Sequence, residues 1–529
     1  MESACGSRNT GKYTSLQMTV TPRTAVAVAA SAAVCGVAAA TVLHMYWTRR
    51  KLKNAIQTGG KAVDDETPWP LVGNTPSLAS SFFGTLYRHV HESVFLVWVG
   101  STPFIVLNDL KSVRRVLTGA GGVYSKPKYF GYRSKAIKSA VERERKAVEL
   151  ESAELAAGDF SRTALEALIV EQFGWLNVEI EALAHELAAR SDHDQQHAFQ
   201  QIQQGLVHLN LRLLYKFDDA QLAGKVSYWI AHAGLEFAKR MANPFRAWYH
   251  WAANVRFLAH VSGLIGIGRR LCKHLDDIVA AERKDSELAE TAPSWVHAWL
   301  GKVGKIGKLG KVVGLLMAST QTVPLTAIWS VYLVATHESV RNKILAEVRK
   351  VNTSSACVDL SELDSLTFLD AVVRETLRIY PPFPVLQREA QMEDELSDGA
   401  FVQKGQIVYI VPWLIHHNPK IWRNPEAFEP ERFVGNASHG DAENDYAFIP
   451  FGRGSRMCAG YRLAIVEVKL LLLHLVLNYD WEAAYESPEY PAINMVPSKM
   501  QFTFRAKKIS YLSATFEHAE DASRVIPTA

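Results

Sequence analysis

The pattern of apolar and polar positions divides the chain into an uncharged N-terminal stretch and a long, mostly helical body. Residues 24–47 contain no Asp, Glu, Lys or Arg, and this length can span a bilayer as a helix. The β-rich runs 94–100 and 103–109 are separated by a short turn and predict a hairpin. Amphipathic helical periodicity dominates from about 110 to 350, and short apolar runs with turn glycines return at 399–412. The pattern predicts a mainly α fold with small peripheral β-sheets, preceded by an N-terminal transmembrane helix.

The C-terminal part continues this alternation. A long apolar helix is predicted directly after Cys458, and the segment 498–513 is predicted to return to strands. The predicted organisation is a lead at 1–23, a membrane anchor or organellar signal at 24–47, a basic and proline-rich hinge at 48–76, a catalytic domain at 77–515 and a tail at 516–529.

The flanks of the uncharged stretch leave two destinations open. Arg49, Arg50, Lys51 and Lys53 follow it, which favours a cytoplasmic position for the body of the chain. The preceding residues are rich in hydroxyl and basic side chains, which also suits an organellar presequence. We therefore expect the endoplasmic reticulum membrane with a single span, with the mitochondrion as the alternative.

Composition and charge exclude several classes of protein. The net charge of +4 is too small to indicate a nucleic-acid partner, and no nucleic-acid-binding motif is present. The five cysteines are far apart and form no CxxC pair, which argues against a disulfide framework and a thiolate zinc site. Adjacent His416 and His417 point in different directions on any regular element, so they do not predict a metal site. Lysines recur every third residue in 302–311, and they predict a solvated basic face at the start of a helix.

The stretch "FIPFGRGSRMCAGYRLAIVEVKLLLLHLV" sets Cys458 between a glycine- and arginine-rich loop and a helix. Glycines let backbone N–H groups turn towards a sulfur and let a flat ligand approach the backbone. Arg456 and the positive end of the following helix dipole favour a thiolate. These features describe a cysteine that ligates haem iron and leaves the opposite face open to O₂. The alternative is a small buried cysteine, the commonest state of a free thiol.

Two further stretches strengthen the haem interpretation. In "VVRETLRIYPP", Glu375 and Arg378 share one face of an apolar helix and can form an ion pair. Arg432 in "NPEAFEPERF" is the candidate third member, because a buried pair needs further partners. Arg388 in "PVLQREA" follows a proline-led extended stretch and could reach a carboxylate of a cofactor.

These motifs resemble the cytochrome P450 superfamily of haem-thiolate monooxygenases, in its microsomal, membrane-anchored form. The loop matches the family pattern at Phe451, Gly454, Arg456, Cys458 and Gly460. The resemblance extends over roughly residues 68–515, and it is most specific in the last 150 residues. It implies haem b with Cys458 as the axial iron ligand, propionate contacts from Arg456 and Arg388, and a structural triad of Glu375, Arg378 and Arg432.

The resemblance also points to a central helix above the haem, where "ASTQTV" departs from the family pattern. Thr322 fits the oxygen-side threonine, but Gln321 replaces the usual acid and cannot titrate. Pro324 follows and removes a helical hydrogen bond, which we expect to kink the helix there. An alternative is that these residues only pack the helix. The nearest match to a further propionate-binding element is "VERER", in which Arg145 is the arginine.

The resemblance implies a monooxygenase that inserts one oxygen atom from O₂ into a lipophilic substrate. Sterols, isoprenoids and fatty acids are the candidate classes, and Gln321 gives a slight preference for sterols. No flavin or nicotinamide motif is present, so electrons derived from NADPH must come from a partner. We expect an NADPH–cytochrome reductase, or a ferredoxin if the protein is organellar, together with membrane lipid. The alternatives are a haem-thiolate isomerase or dehydratase that needs no external electrons, and a non-catalytic haem or sterol-binding protein.

Overall fold

A computed structural model provides the fold of the protein. It describes residues 77–78, 81–99, 102–119, 122–125, 162–190, 198–242, 251–282, 305–351, 358–397, 399–435, 444–485, 496 and 500–507. The predicted anchor 24–47, the hinge 48–76, the tail 516–529 and Arg145 lie outside the described residues.

Helices make up most of the described chain, as the periodicity predicted. In chain order they are α1 (Phe82–Tyr87), α2 (Leu110–Thr118), α3 (Arg162–Arg190), α4 (Ala198–Tyr215), α5 (Ala220–Ala242), α6 (Trp251–Glu282), α7 (Lys305–Thr336), α8 (Glu338–Val351), α9 (Leu360–Ser365), α10 (Thr367–Ile379), α11 (Pro412–His416) and α12 (Tyr461–Asn478).

The strands form three small sheets. They are β1 (Val94–Val99), β2 (Thr102–Leu107), β3 (Tyr124–Ser125), β4 (Leu386–Ala390), β5 (Asp394–Glu395), β6 (Phe401–Val402), β7 (Ile407–Ile410), β8 (Tyr479–Ala484) and β9 (Gln501–Ala506). The largest sheet has the order β1-β2-β7-β4-β3, while β5 pairs with β6 and β8 with β9. The predicted hairpin is confirmed, because β1 and β2 pair antiparallel with Val94 opposite Leu107.

Helices α7 and α12 lie in the main hydrophobic core, which they share with α3, α4, α6, α8 and α10. Trp329 of α7 is almost fully buried, as are the leucines 470–473 of α12. Burial of such apolar side chains is the main stabilising contribution to a fold of this kind. Within the part of the chain that the structure describes, one helix, Lys308–Thr336, is long and apolar enough to cross a bilayer. It is the core helix α7, so its hydrophobicity is explained by burial in the protein.

The basic face predicted for 302–311 is wrong at Lys308. This side chain is buried and forms an ion pair with Asp276 of α6. The two helices approach closely at Gly268, where a Cβ would overlap Val313 of α7. The close approach removes Lys308 from solvent, and Asp276 compensates its charge.

Candidate functional site

The loop that carries Cys458 is closed on itself by main-chain hydrogen bonds. The Cys458 N–H donates to the Phe451 carbonyl at 2.9 Å, and the Met457 N–H donates to the Gly454 carbonyl at 3.1 Å. Gly452 and Gly454 have φ values of +67° and +74°, a region that glycine adopts without a steric penalty. The glycines of the motif therefore fold the chain back so that Cys458 stands at the start of α12.

Gly454 also fixes the loop against helix α2. A Cβ at this position would overlap the Leu117 carbonyl oxygen and lie 3.2 Å from the Leu117 carbonyl carbon. A Cβ at Gly460, by contrast, would meet no protein atom within 4 Å. Gly454 is thus required by protein packing, whereas the surroundings of Gly460 leave room beside the cysteine.

The Cys458 thiol is exposed but stands among protein atoms that displace water. This burial raises the pKa of the Cys458 thiol, and a hydrogen bond from the Gly460 main-chain N–H partly offsets the rise. Without a bound metal ion, burial therefore favours the neutral Cys458 thiol. A thiolate at Cys458 therefore needs a bound metal ion, which deprotonates a coordinating thiol outright.

Two arginines lie near each other without an acidic partner. Arg388, on β4, is 7 % exposed, and its guanidinium Nη1 donates to the Gln387 carbonyl at 2.9 Å. Burial lowers the pKa of Arg388, and the positive charge of Arg456 lowers it further. Among the described residues, neither arginine forms an ion pair with a carboxylate. A buried Arg388 guanidinium beside the charge of the exposed Arg456 favours a bound anion, and a dicarboxylate ligand would supply it.

These observations agree with a bound haem. The group needs a thiolate donor for its iron, cationic partners for its propionates and space close to the backbone. Cys458, the pair of Arg388 and Arg456, and the unobstructed Gly460 meet these three needs.

Glu375, Arg378 and Arg432 meet in one ion-pair network. Arg378 donates through Nε and Nη2 to the two Glu375 carboxylate oxygens, each at 2.8 Å, and both side chains are fully buried. Arg432 Nε lies 3.3 Å from Glu375 Oε1, which is ion-pair distance, although the geometry does not make a hydrogen bond. Arg432 Nη2 pairs with Glu429 at 2.8 Å. Because two cations share the Glu375 carboxylate, the buried acid is compensated.

His416 joins this network and was missed as a site residue. Its Nε2 accepts from the Ile449 N–H at 3.1 Å, so the proton of the neutral ring lies on Nδ1, which donates to the Arg378 carbonyl at 3.1 Å. Arg378 Nη1 donates in return to the His416 carbonyl at 2.8 Å. Burial holds the pKa of His416 well below 6.5, so the ring is neutral near pH 7. The adjacent histidines are conspicuous in the sequence, but no local pattern predicts that His416 bonds to the main chain of Arg378 and Ile449.

Helix α7 carries an accessible stripe in an otherwise buried element. Met317 is 48 % exposed, Ala318 is exposed, and Gln321 and Thr322 are half-buried. The Thr322 hydroxyl donates to the Ala318 carbonyl at 2.8 Å. The helix continues through Pro324 as one element. The stripe places Gln321 and Thr322 where a small molecule can reach them.

Comparisons with known proteins agree with this geometry. The cytochrome P450 family model matches residues 308–512. The chain is 35 % identical over 165 residues to cytochrome P450 71D18 of Mentha gracilis, covering 31 % of this chain and 33 % of the relative. It is 35 % identical over 172 residues to cytochrome P450 3A7 of Homo sapiens, covering 32 % of each chain. It is also 36 % identical over 168 residues to 6,7,8-trihydroxycoumarin synthase of Pastinaca sativa, covering 31 % of this chain and 33 % of the relative. The chain thus spans about a third of the length of the curated relatives it matches.

Proposed function

We propose that this chain, whose residues 308–512 match the cytochrome P450 family model, is a haem-thiolate monooxygenase. The observation that carries the proposal is Cys458 in a glycine-built loop, near Arg388 and Arg456, which form no ion pair with a described carboxylate. When bound, the haem would supply the chemistry that splits O₂, with two electrons and two protons, into one inserted oxygen atom and water.

The chain's own groups hold the cofactor in this proposal. Cys458 binds the iron as a thiolate, and the Gly460 N–H stabilises the negative sulfur. Arg388 and Arg456 bind the propionates, which neutralise the two neighbouring guanidinium charges. Phe451 packs at the edge of the main core and supports the loop from below. Glu375, Arg378 and Arg432 keep the segment that leads into this loop in register with helix α10.

Thr322 is the group we propose for handling protons on the oxygen side. Its hydrogen is held by the Ala318 carbonyl, so its oxygen lone pairs are free to accept a hydrogen bond. Gln321 can orient a water molecule through its amide but cannot release a proton. Protons must therefore reach Thr322 through solvent that enters along the accessible stripe of α7.

The substrate, the electron donor and the location are also proposals. We propose a lipophilic small molecule as substrate, with sterols as the first class to test because Gln321 replaces the usual acid. Electrons come from a separate NADPH-dependent reductase, or from a ferredoxin if the protein is organellar. The uncharged residues 24–47 and the following basic cluster favour a single-span anchor in the endoplasmic reticulum membrane, with the body of the chain in the cytoplasm.

The test is the spectrum of the reduced, carbon monoxide-treated full-length protein. The wild-type protein should show a thiolate-type Soret band, and Cys458→Ser should lose it. Cys272→Ser is the matched control, because Cys272 is a half-buried thiol on α6, away from the loop, and this variant should keep the band.

Two outcomes would contradict the proposal. A thiolate-type band in Cys458→Ser would remove Cys458 as the ligand. Substrate turnover by the haem-loaded protein without any reductase or electrons would favour an isomerase or dehydratase in place of a monooxygenase.

A further inference from the structure

Helix α7 contains a carbonyl group that cannot make its helical hydrogen bond. In an α-helix the carbonyl of residue i accepts from the N–H of residue i+4, and Pro324 has no N–H to offer to the Thr320 carbonyl. Thr320 is 1 % exposed, so solvent does not readily replace the missing donor. Buried carbonyl groups of this kind almost always have another partner.

The missing donor is replaced by a side chain from helix α4. Gln203 Nε2 donates to the Thr320 carbonyl oxygen at 3.3 Å, and Gln203 itself is 2 % exposed. The carbonyl can only accept, which fixes the amide with its nitrogen towards α7. Gln203 thus satisfies the one carbonyl that Pro324 deprives of its main-chain donor.

A second bond between the same helices provides a contrast. The Tyr215 hydroxyl donates to the Val312 carbonyl at 3.0 Å, and this bond is also buried. Leu316, four residues after Val312, has a main-chain N–H, so Val312 keeps a helical donor. Tyr215 therefore adds a hydrogen bond to α7, whereas Gln203 replaces a lost one.

Gln203 acts on the side of α7 opposite to the accessible stripe. Thr320 and Thr322 are two residues apart, so their side chains leave the helix axis in directions about 160° apart. The segment between Thr320 and Pro324 contains Gln321 and Thr322, and the Thr326 hydroxyl donates to the Thr322 carbonyl at 3.0 Å. If the Gln203 hydrogen bond were lost, any change in the backbone of residues 320–324 would therefore move Thr322 directly.

We propose that Gln203 is a positioning residue for Thr322. By taking the place of the N–H that Pro324 lacks, it holds the turn 320–324 in one arrangement and keeps the Thr322 hydroxyl directed along the stripe. The effect on Thr322 rests on the proposed monooxygenase function. The hydrogen bond by which Gln203 replaces the donor that Pro324 lacks does not.

The first experiment is a double-mutant cycle on the full-length protein with Gln203→Leu, Pro324→Ala and the double variant. Unfolding by denaturant is measured for each, with Tyr215→Phe as the matched control in both backgrounds. Gln203→Leu should raise the unfolding equilibrium constant roughly tenfold when Pro324 is present. In the Pro324→Ala background, Gln203→Leu should raise the unfolding equilibrium constant less than about twofold, because the alanine supplies a main-chain N–H to the Thr320 carbonyl. Tyr215→Phe should have the same effect in both backgrounds.

The second experiment measures position rather than stability. Hydrogen peroxide released per NADPH consumed is determined with the reductase for the haem-loaded variants. Gln203→Leu should raise this ratio severalfold, because a displaced Thr322 no longer directs protons. The double variant and Tyr215→Phe should keep the wild-type ratio.

Each outcome decides the proposal. If Gln203→Leu lowers the free energy of unfolding equally in both backgrounds, Gln203 does not replace the donor that Pro324 lacks. If Gln203→Leu leaves the ratio of peroxide to NADPH unchanged, Gln203 does not position Thr322. A wild-type protein without a thiolate-type Soret band would overturn the proposed function and with it the role at Thr322. The double-mutant cycle would still decide whether Gln203 supplies the hydrogen-bond donor that Pro324 lacks.

Discussion

Glu467 is a carboxyl group in the middle of α12, 1 % exposed among leucines. Asn210 Nδ2 of α4 donates to Glu467 Oε2 at a long 3.4 Å. Within the described part of the chain, Glu467 Oε1 and Asn210 Oδ1 have no hydrogen-bond partner. Burial raises the pKa of Glu467 from 4.5 to about 8. The folded protein therefore keeps a proton on Glu467 at neutral pH.

This proton makes the stability of the fold depend on pH. The folded-state pKa lies above the unfolded one, so between about pH 4.5 and 8 the folded state binds more protons, and the free energy of unfolding falls as pH rises. The largest possible slope is about 1.4 kcal/mol per pH unit. Glu467→Gln keeps the shape but has no titratable group, so its free energy of unfolding should fall less between pH 5 and 8.

Denaturant unfolding at several pH values measures this difference. Glu482→Gln, at an exposed position of β8, is the matched control and should retain the wild-type slope. Equal slopes in wild type and Glu467→Gln would show that Glu467 is ionised in the fold.

At the scale of elements, the contact between the cysteine loop and α2 depends on one missing Cβ. Gly454→Ala would drive a methyl group into the Leu117 main chain in addition to straining a φ of +74°. Gly452→Ala is the matched control, because its φ is +67° but its Cβ would lie 3.9 Å from the nearest atom, the Arg456 carbonyl oxygen. The left-handed strain alone costs about 1–2 kcal/mol.

We expect Gly454→Ala to lower both the thermal midpoint and the haem content clearly more than Gly452→Ala. The physical reason is that only Gly454→Ala must separate the loop from α2, which displaces Cys458. Differential scanning calorimetry and the Soret absorbance per protein measure the two effects. Equal losses of thermal midpoint and haem content in both variants would mean that left-handed backbone strain, and not packing on Leu117, causes the effect of Gly454→Ala.

Helix α12 is held by three buried polar side chains that each reach a different element. Besides Glu467, Lys469 donates to the Leu363 carbonyl of α9, and His474 donates through Nε2 to Asn177 Oδ1 of α3 at 2.8 Å. A helix of leucines in an apolar core has many rotations of similar energy. The three bonds select one rotation, and that rotation determines where Cys458 points at the helix start.

At the scale of the whole molecule, the features that the sequence predicted are those encoded by neighbouring residues. The β1–β2 hairpin and helix α12 follow from period and turn chemistry. The ion pair of Glu375 and Arg378 follows from the spacing of three residues on a helix.

Contacts between distant segments were not predictable from one sequence. Gln203 and Thr320 are 117 residues apart, and no local pattern links them. The prediction for Lys308 was wrong for the same reason, since Asp276 and Gly268 lie on another helix. The raised pKa of the Cys458 thiol likewise depends on atoms that only the fold brings near.

The proposed membrane anchor concerns the whole chain and can be tested directly. The full-length protein should remain in the membrane fraction after alkaline carbonate extraction, and a chain that starts at residue 54 should be released. The variant with Val34→Lys and Val37→Lys keeps the length of the stretch but places two charges near its centre, and it should be released as well. Retention of both altered chains would locate membrane binding elsewhere, and a mature protein shortened at its N-terminus would favour the organellar signal.

Arg388 and Arg456 carry a consequence for how the protein is made. A newly synthesised chain must bury the Arg388 guanidinium near the charge of Arg456 before a ligand anion is bound. A ligand that binds only the folded state stabilises it, and the stabilisation grows with the logarithm of the free ligand concentration. We therefore expect a bound porphyrin to stabilise the folded chain, so the amount of mature protein in cells should follow the porphyrin supply.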